Sequence, residues 1–225
     1  MQNTSESYLY SAWIDQQKAL IASLRSQPLV VVLRPKEIYF ELPYSKNPLF
    51  LLIEKFSAEG VKHIEIAWSS HPAWMSLIDE VRLCFSNISL GAASITTSNA
   101  VSAIAELDLE YAMTPIWSSA LQMQARSLKQ LLVPGVCSPT EVHAAKSFGC
   151  QLIKLFPANT LGIEYIDHLK GPIGSLPFVI AAGGLTIEDL DLWLKQGYGA
   201  IAIGRGLTQN QQVGQQLKQW LKTRT

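Results

Sequence analysis

The sequence predicts an α/β chain folded as a single (β/α)8 TIM barrel with an additional N-terminal helix. Three observations carry this prediction. Short apolar, β-branched runs recur eight times along the 225 residues. Their starts lie about 21 to 32 residues apart, room for a crossover helix and too much for a hairpin. No G-x-G-x-x-G turn follows the first run, where a doubly wound open sheet would place one.

Taken in order, residues 8–26 read as the additional helix, closing the lower end of the barrel. Strands are expected at 29–34, 61–67, 88–92, 109–114, 130–133, 151–156, 177–181 and 199–203, giving a barrel over about 29–223 and one domain over 1–225. The join from Pro35 to Asn47 is long for a strand-to-helix connection and is expected to fold over the top. Ser138-Pro139-Thr140-Glu141 offers an N-cap, a proline at the first helical position and a capping-box carboxylate. Thr186-Ile187-Glu188-Asp189 has the same character. Gly60, Gly149 and Gly197 each stand just before a strand, where a left-handed residue would end the preceding helix. No low-complexity linker divides the chain.

Composition narrows the function. Lys plus Arg number 18 and Asp plus Glu 18, a balance that argues against nucleic-acid and anionic-membrane partners. With 48% apolar and 16% charged residues the chain is not disordered. Three cysteines, Cys84, Cys137 and Cys150, give neither a disulfide framework nor a zinc spacing, and the four histidines show no metal-ligand spacing. The amino terminus lacks the basic start and apolar run of a signal peptide, and no apolar run approaches membrane-spanning length. A cytoplasmic protein without metal or cofactor is expected. Cys137 and Cys150 read as packing residues, His143 and His168 as solvent-facing helix residues, and the tryptophans as packing residues, with Trp68 and Trp117 placed after strands where a pocket could form.

Charges inside strands are the informative anomaly. Strand residues alternate between faces, so His63, Glu65 and Ala67 share one face and Leu152, Lys154 and Phe156 share another. The aliphatic residues between them suit packing against helices, which aims Glu65 and Lys154 at the barrel interior. A charge there costs several kcal/mol unless paired, neutralised or wetted. Two readings stand side by side: an ion pair that fixes the barrel, or a desolvated amine nucleophile with a carboxyl that moves protons beside it. Both residues lie toward the carboxyl ends of their strands, where barrel active sites are built. Arg34, ending the first strand, is either a solvated strand-end residue or a planar fork for an anion. Gly183 and Gly184 after the seventh strand, and Gly204, Arg205 and Gly206 after the eighth, suit turn chemistry or backbone binding of a phosphate or carboxylate.

The segment Ile153-Lys154-Leu155-Phe156-Pro157-Ala158 resembles the K-x-F-P-[AG] motif of the KDPG/KHG aldolases, class I enzymes that release pyruvate from 2-keto-3-deoxy-6-phosphogluconate or 4-hydroxy-2-oxoglutarate. Further resemblances follow in order: Val32-Leu33-Arg34, Ile64-Glu65-Ile66, Gly91-Ala92, Thr114-Pro115, and Val133-Pro134-Gly135-Val136 followed by Ser138-Pro139-Thr140-Glu141. The resemblance implies that Lys154 forms a Schiff base with the C2 ketone and that Glu65 moves protons. It implies that Arg34 and the glycine loops hold the distal anionic end of a keto acid, phosphorylated or not, and that Pro115 and Phe156 shape the pocket. It also implies a homotrimer. Gly91-Ala92-Ala93-Ser94 departs from the family's G-A-G-T, adding a methyl at Ala93 and keeping a hydroxyl at Ser94. Ala182 replaces the threonine of T-G-G, Asn159 a glutamate, and Gly204-Arg205-Gly206 a glycine-serine pair, which adds a cation. These departures leave open a barrel that binds a keto-acid metabolite without turning it over. A phosphate-binding isomerase or synthase would need a second carboxylate at a strand end.

Overall fold

The computed structural model describes the backbone of residues 2–207 and 211–223 and the side chains of 7–207 and 214–223. Helix α1, Gln2–Ser26, precedes β1, Leu29–Leu33. There follow α2 (Pro48–Ala58), β2 (His63–Ala67), α3 (Trp74–Cys84), β3 (Ser89–Ala93), α4 (Ser98–Glu106), β4 (Tyr111–Met113), α5 (Ser119–Ser127), β5 (Leu132–Val133) and β6 (Gly135–Val136). The second half runs through α6 (Pro139–Phe148), β7 (Leu152–Leu155), α7 (Ala158–Leu161), α8 (Tyr165–Ile173), β8 (Phe178–Ala182), α9 (Leu190–Gln196), β9 (Ala200–Ile203) and α10 (Gln211–Lys222).

All strand pairs are parallel, in the order β5-β4-β3-β2-β1-β9-β8-β7-β6. The sheet has nine segments where eight strands were predicted, because Pro134 interrupts the fifth. Proline has no N–H to give to a ladder. Val133 O still accepts from Thr114 N (3.0 Å), and Pro134 O accepts from Lys154 N (2.8 Å). Residues 132–136 therefore form one stave facing β4 through its first half and β7 through its second, which closes the barrel. Gly135 lets the chain turn there: a Cβ on it would stand 2.3 Å from the Pro115 carbonyl carbon.

The expected helix signals are present. Ser138 Oγ accepts from Glu141 N while Glu141 accepts from Ser138 N, a full capping box. Thr186 and Asp189 form the same box, and the first turn after it is 3-10, with α9 beginning at Leu190. Gly149 (φ 101°) and Gly197 (φ 107°) end their helices in the left-handed conformation. Helix α1 starts at Gln2 where residue 8 was expected; the polar residues before Tyr8 carry no apolar period that would have signalled a helix.

Helix α1 closes the lower end of the barrel. Gln17 Oε1 accepts from Gln151 N (2.7 Å), Gln27 bridges Gly60 O and Lys62 N (2.9 and 2.7 Å), and Ser23 Oγ lies 3.2 Å from His63 Nε2. Those partners stand at the amino ends of β2 and β7. Leu20 and Leu24 of the same helix are buried. The long join after β1 forms two 3-10 turns, at Glu37–Glu41 and Tyr44–Lys46. It reaches across the upper end, where the Phe40 ring stacks on His71 at 4.4 Å and 7°. Among the described residues no helix is long and apolar enough to cross a membrane.

Candidate active site

Strand alternation puts Glu65 and Lys154 on the same interior surface. Lys154 lines a cleft of about 320 Å³ at the carboxyl ends of the strands, together with Val32. Glu65 is the register partner of Val32 on the neighbouring strand, so its side chain leaves the same face. By sheet order, β2 and β7 are four staves apart in either direction, so the two side chains face each other across the barrel. Glu65 is fully buried and Lys154 is 6% exposed.

The electrostatics follow from that burial. Desolvation pushes the Glu65 carboxyl up to about 7, against the Lys154 ammonium and the Arg34 guanidinium, both of which pull it down. Desolvation likewise lowers the Lys154 pKa below its usual value; the Glu65 charge opposes that fall and Arg34 assists it. The carboxylate oxygens accept no hydrogen bond from another protein group, and no ion pair within 4.0 Å joins Glu65 to Lys154. The pair is coupled across a gap rather than locked in contact, which favours the amine-nucleophile reading over the purely structural ion pair. The Phe156 ring, its centroid 6.0 Å from Lys154 Nζ, forms one wall beside the amine.

The glycine clusters reach the same cleft. Gly183 (φ 99°) and Gly184 (φ 79°) adopt a conformation that other residues enter at a cost. A Cβ on Gly183 would stand 2.9 Å from the Phe156 ring, and one on Gly184 would stand 2.8 Å from Asn159 Cβ. Conformation and space both demand glycine there. Gly204 and Gly206 do not have positive φ, and a Cβ on Gly204 would meet nothing nearer than 3.5 Å. Arg205 also lines the cleft.

Arg34 Nη1 donates to Ser94 Oγ at 3.2 Å, which links the mouth of the cleft to the end of β3. Ser94 has φ 65°, a strained conformation for a residue with a Cβ. Ala182 lines the cleft, so its methyl stands where the expected hydroxyl would have been. Pro115 does not line the cleft; it packs against Gly135, the register partner of Lys154. Trp68 packs on Trp74 and Trp117 on Phe148, so neither builds the site. Cys137 is exposed instead of packed, and Cys150 is buried. Among the described residues no group of three or more His, Cys, Asp or Glu side chains could hold a metal ion.

Sequence reasoning missed Tyr111. Its ring covers Gly91, where a Cβ would stand 2.6 Å from Tyr111 Cζ. Its buried hydroxyl makes no hydrogen bond to another protein group. Burial, reinforced by the Glu65 and Glu110 charges, holds the phenol well above its usual pKa and therefore protonated. The available signal was a glycine and a large aromatic at matching positions of β3 and β4.

Comparison with known proteins agrees with this geometry. The family model described as KDPG and KHG aldolase matches residues 21–221. A 2-dehydro-3-deoxy-6-phosphogalactonate aldolase of Escherichia coli is 30% identical over 149 residues, 66% of this chain and 72% of that protein. A probable enzyme of the same name from Rhizobium meliloti is 25% identical over 80% of this chain and 82% of its own length. Among solved structures, one described as native KDPGal superposes with a TM-score of 0.72 at 25% identity, covering 87% of this chain and 93% of that one. The KDPG aldolase of Legionella pneumophila, captured with pyruvate as a covalent carbinolamine, shares the fold with a TM-score of 0.73 at 18% identity, over 91% and 97% of the two chains.

Proposed function

The chain is an aldolase of the KDPG and KHG aldolase family, and on that premise we propose that it releases pyruvate from a 2-keto-3-deoxy-6-phospho sugar acid, or from 4-hydroxy-2-oxoglutarate, through a Schiff base on Lys154. The supporting observation is an amine of lowered pKa in the cleft, facing a fully buried carboxyl that retains its proton up to about pH 7.

Neutral Lys154 attacks the C2 carbonyl carbon, and the carbonyl oxygen takes a proton, giving a carbinolamine. Protonated Glu65 supplies the proton that lets this hydroxyl leave as water, and the nitrogen lone pair closes the iminium. The Glu65 carboxylate then accepts the C4 hydroxyl proton as the C3–C4 bond breaks. The bonding electrons flow into the iminium, leaving an enamine and a free aldehyde. Protonation at C3 and addition of water return pyruvate and the amine. Tyr111, held protonated near Glu65, keeps that part of the lumen polar.

Substrate positioning falls to the rim. The Gly183–Gly184 turn and the Gly204–Gly206 loop receive the distal phosphate or carboxylate, with Arg34 and Arg205 supplying positive charge. Ser94 holds Arg34 in place, Phe156 walls the reacting carbon, and Pro115 supports the lysine strand through Gly135. The relative from Escherichia coli is named for a 6-phosphogalactonate substrate, which puts a six-carbon phosphorylated keto acid first. The assembly we assign is a homotrimer of single-domain barrels in the cytoplasm, working in carbohydrate metabolism. The family resemblance supports it, as do the exposed apolar side chains of Ile116 and Met123.

The test is pyruvate release measured side by side from the 6-phosphogluconate-type, 6-phosphogalactonate-type and 4-hydroxy-2-oxoglutarate keto acids. Turnover of at least one phosphorylated substrate above the unphosphorylated one is expected. No release from any of the three would contradict the assignment; equal release, or release from 4-hydroxy-2-oxoglutarate alone, would contradict the preference for a phosphorylated substrate.

A further inference from the structure

A second cavity, about 350 Å³, opens beside the cleft and shares Val32, Arg34, Gly204 and Arg205 with it. The cleft that Lys154 lines runs to the Gly183–Gly184 turn, and the second cavity forms an adjoining arm under the long join that follows β1. The wall of this second arm comes from Lys36 and Tyr39 of that join and from Leu49 and Leu52 of α2.

The join is a built wall. Strand-to-helix connections in such barrels usually take about 2–6 residues, and here residues 34–47 separate β1 from α2. Asn47 fastens the join to the helix: Nδ2 donates to Tyr39 O (2.8 Å), and Oδ1 accepts from Leu49 N (3.0 Å). Phe40 stacks on His71 across the barrel mouth, and the Tyr44 ring meets Phe50 edge-on at 4.7 Å. These contacts set Tyr39 and Lys36 over the cavity.

Its chemistry is amphipathic. The charged residues lining it are Arg34, Lys36 and Arg205, with no carboxylate among them, while Leu49, Leu52 and Tyr39 give it apolar surface. We propose that this arm binds the aldehyde half of a keto acid when that half carries an aliphatic or aromatic segment ending in an anion. Lys36 is the charge-selecting residue and Tyr39 the wall for the apolar segment. The proposal rests on the aldolase reading and extends its substrates beyond those the glycine loops can hold.

The experiment runs the reaction in the synthetic direction with pyruvate and three acceptors: 4-formylbenzoate, benzaldehyde and glyceraldehyde 3-phosphate. The first two differ only in the carboxylate, and the third addresses the glycine loops. Lys36→Glu is expected to lower the kcat/KM ratio of 4-formylbenzoate to benzaldehyde about tenfold, a change of about 1.4 kcal/mol, and Lys36→Gln to lower it less. Tyr39→Ala is expected to lower kcat/KM for both aryl aldehydes relative to glyceraldehyde 3-phosphate. Deuterium exchange at C3 of pyruvate, which needs the Schiff base and no acceptor, is followed in the same samples. Exchange with unmoved acceptor ratios would overturn the second arm and leave the aldolase reading standing. Absence of exchange in the unsubstituted protein would overturn both.

Discussion

Glu65 and Lys154 stand on opposite staves of the barrel, both desolvated, each drawing the other toward its charged form without touching it. Burial opposes that attraction in both residues. The outcome is a carboxyl that titrates near neutrality facing an amine that loses its proton more readily than a lysine in water.

The pH profile of kcat/KM should show this directly. In the free enzyme Glu65 must hold the proton that it gives to the carbinolamine hydroxyl, so kcat/KM is expected to fall as pH rises through about 7. Glu65→Gln should abolish that limb and lower kcat by about 10²–10⁴-fold. Steady-state kinetics from pH 5 to 9 check both. A limb that persists in the variant would assign the titration to another group.

Stability should carry the same signature. Glu65 has a native pKa of about 7 against an ordinary value of 4.5. Between these values the native chain binds more protons than the unfolded chain, so stability falls as pH rises. Glu65→Gln is therefore expected to stabilise the protein above pH 7 by about 3 kcal/mol. Denaturant midpoints at pH 8 measure it, and unchanged or lowered midpoints would contradict the burial argument.

His63 acts with the opposite sign. Burial lowers its pKa from 6.5 to about 4, only partly offset by its hydrogen bond to Ser23. Between those values the unfolded chain binds more protons, so stability falls as pH falls. From about 4.5 to 6.5 the two slopes oppose each other, and the unsubstituted protein should show little pH dependence there. His63→Gln should unmask the falling slope of Glu65 in urea titrations across that window. A flat profile in the variant would remove the coupling.

The two glycine clusters should respond differently. Gly183→Ala meets both positive φ and the Phe156 ring, and is expected to cost about 1–3 kcal/mol. Gly204→Ala has room for its methyl and should leave the thermal midpoint nearly unchanged. Equal destabilisation by both substitutions, measured by thermal unfolding, would contradict the conformational distinction.

Much of this was legible in the chain because it is local. Strand alternation put Glu65 and Lys154 on one face, and the Ser138–Glu141 box placed α6, since both signals lie within a few residues. What was not legible depends on distant partners. The split at Pro134 became visible only once β4 and β7 flanked the same stave. Tyr111 acquired meaning from Gly91 on another strand, and the join carrying Lys36 is fixed by a ring, His71, that lies far along the chain from Phe40. Pro115, expected in the pocket, instead supports it through Gly135, a contact that no spacing encodes.

The most direct measurement is borohydride reduction in the presence of pyruvate, followed by peptide mass analysis. An adduct on Lys154, absent from Lys154→Met and formed more readily as pH rises toward the lowered pKa of the amine, is the expected result. An adduct on any other lysine, or none while the protein releases pyruvate, would contradict the Schiff-base assignment.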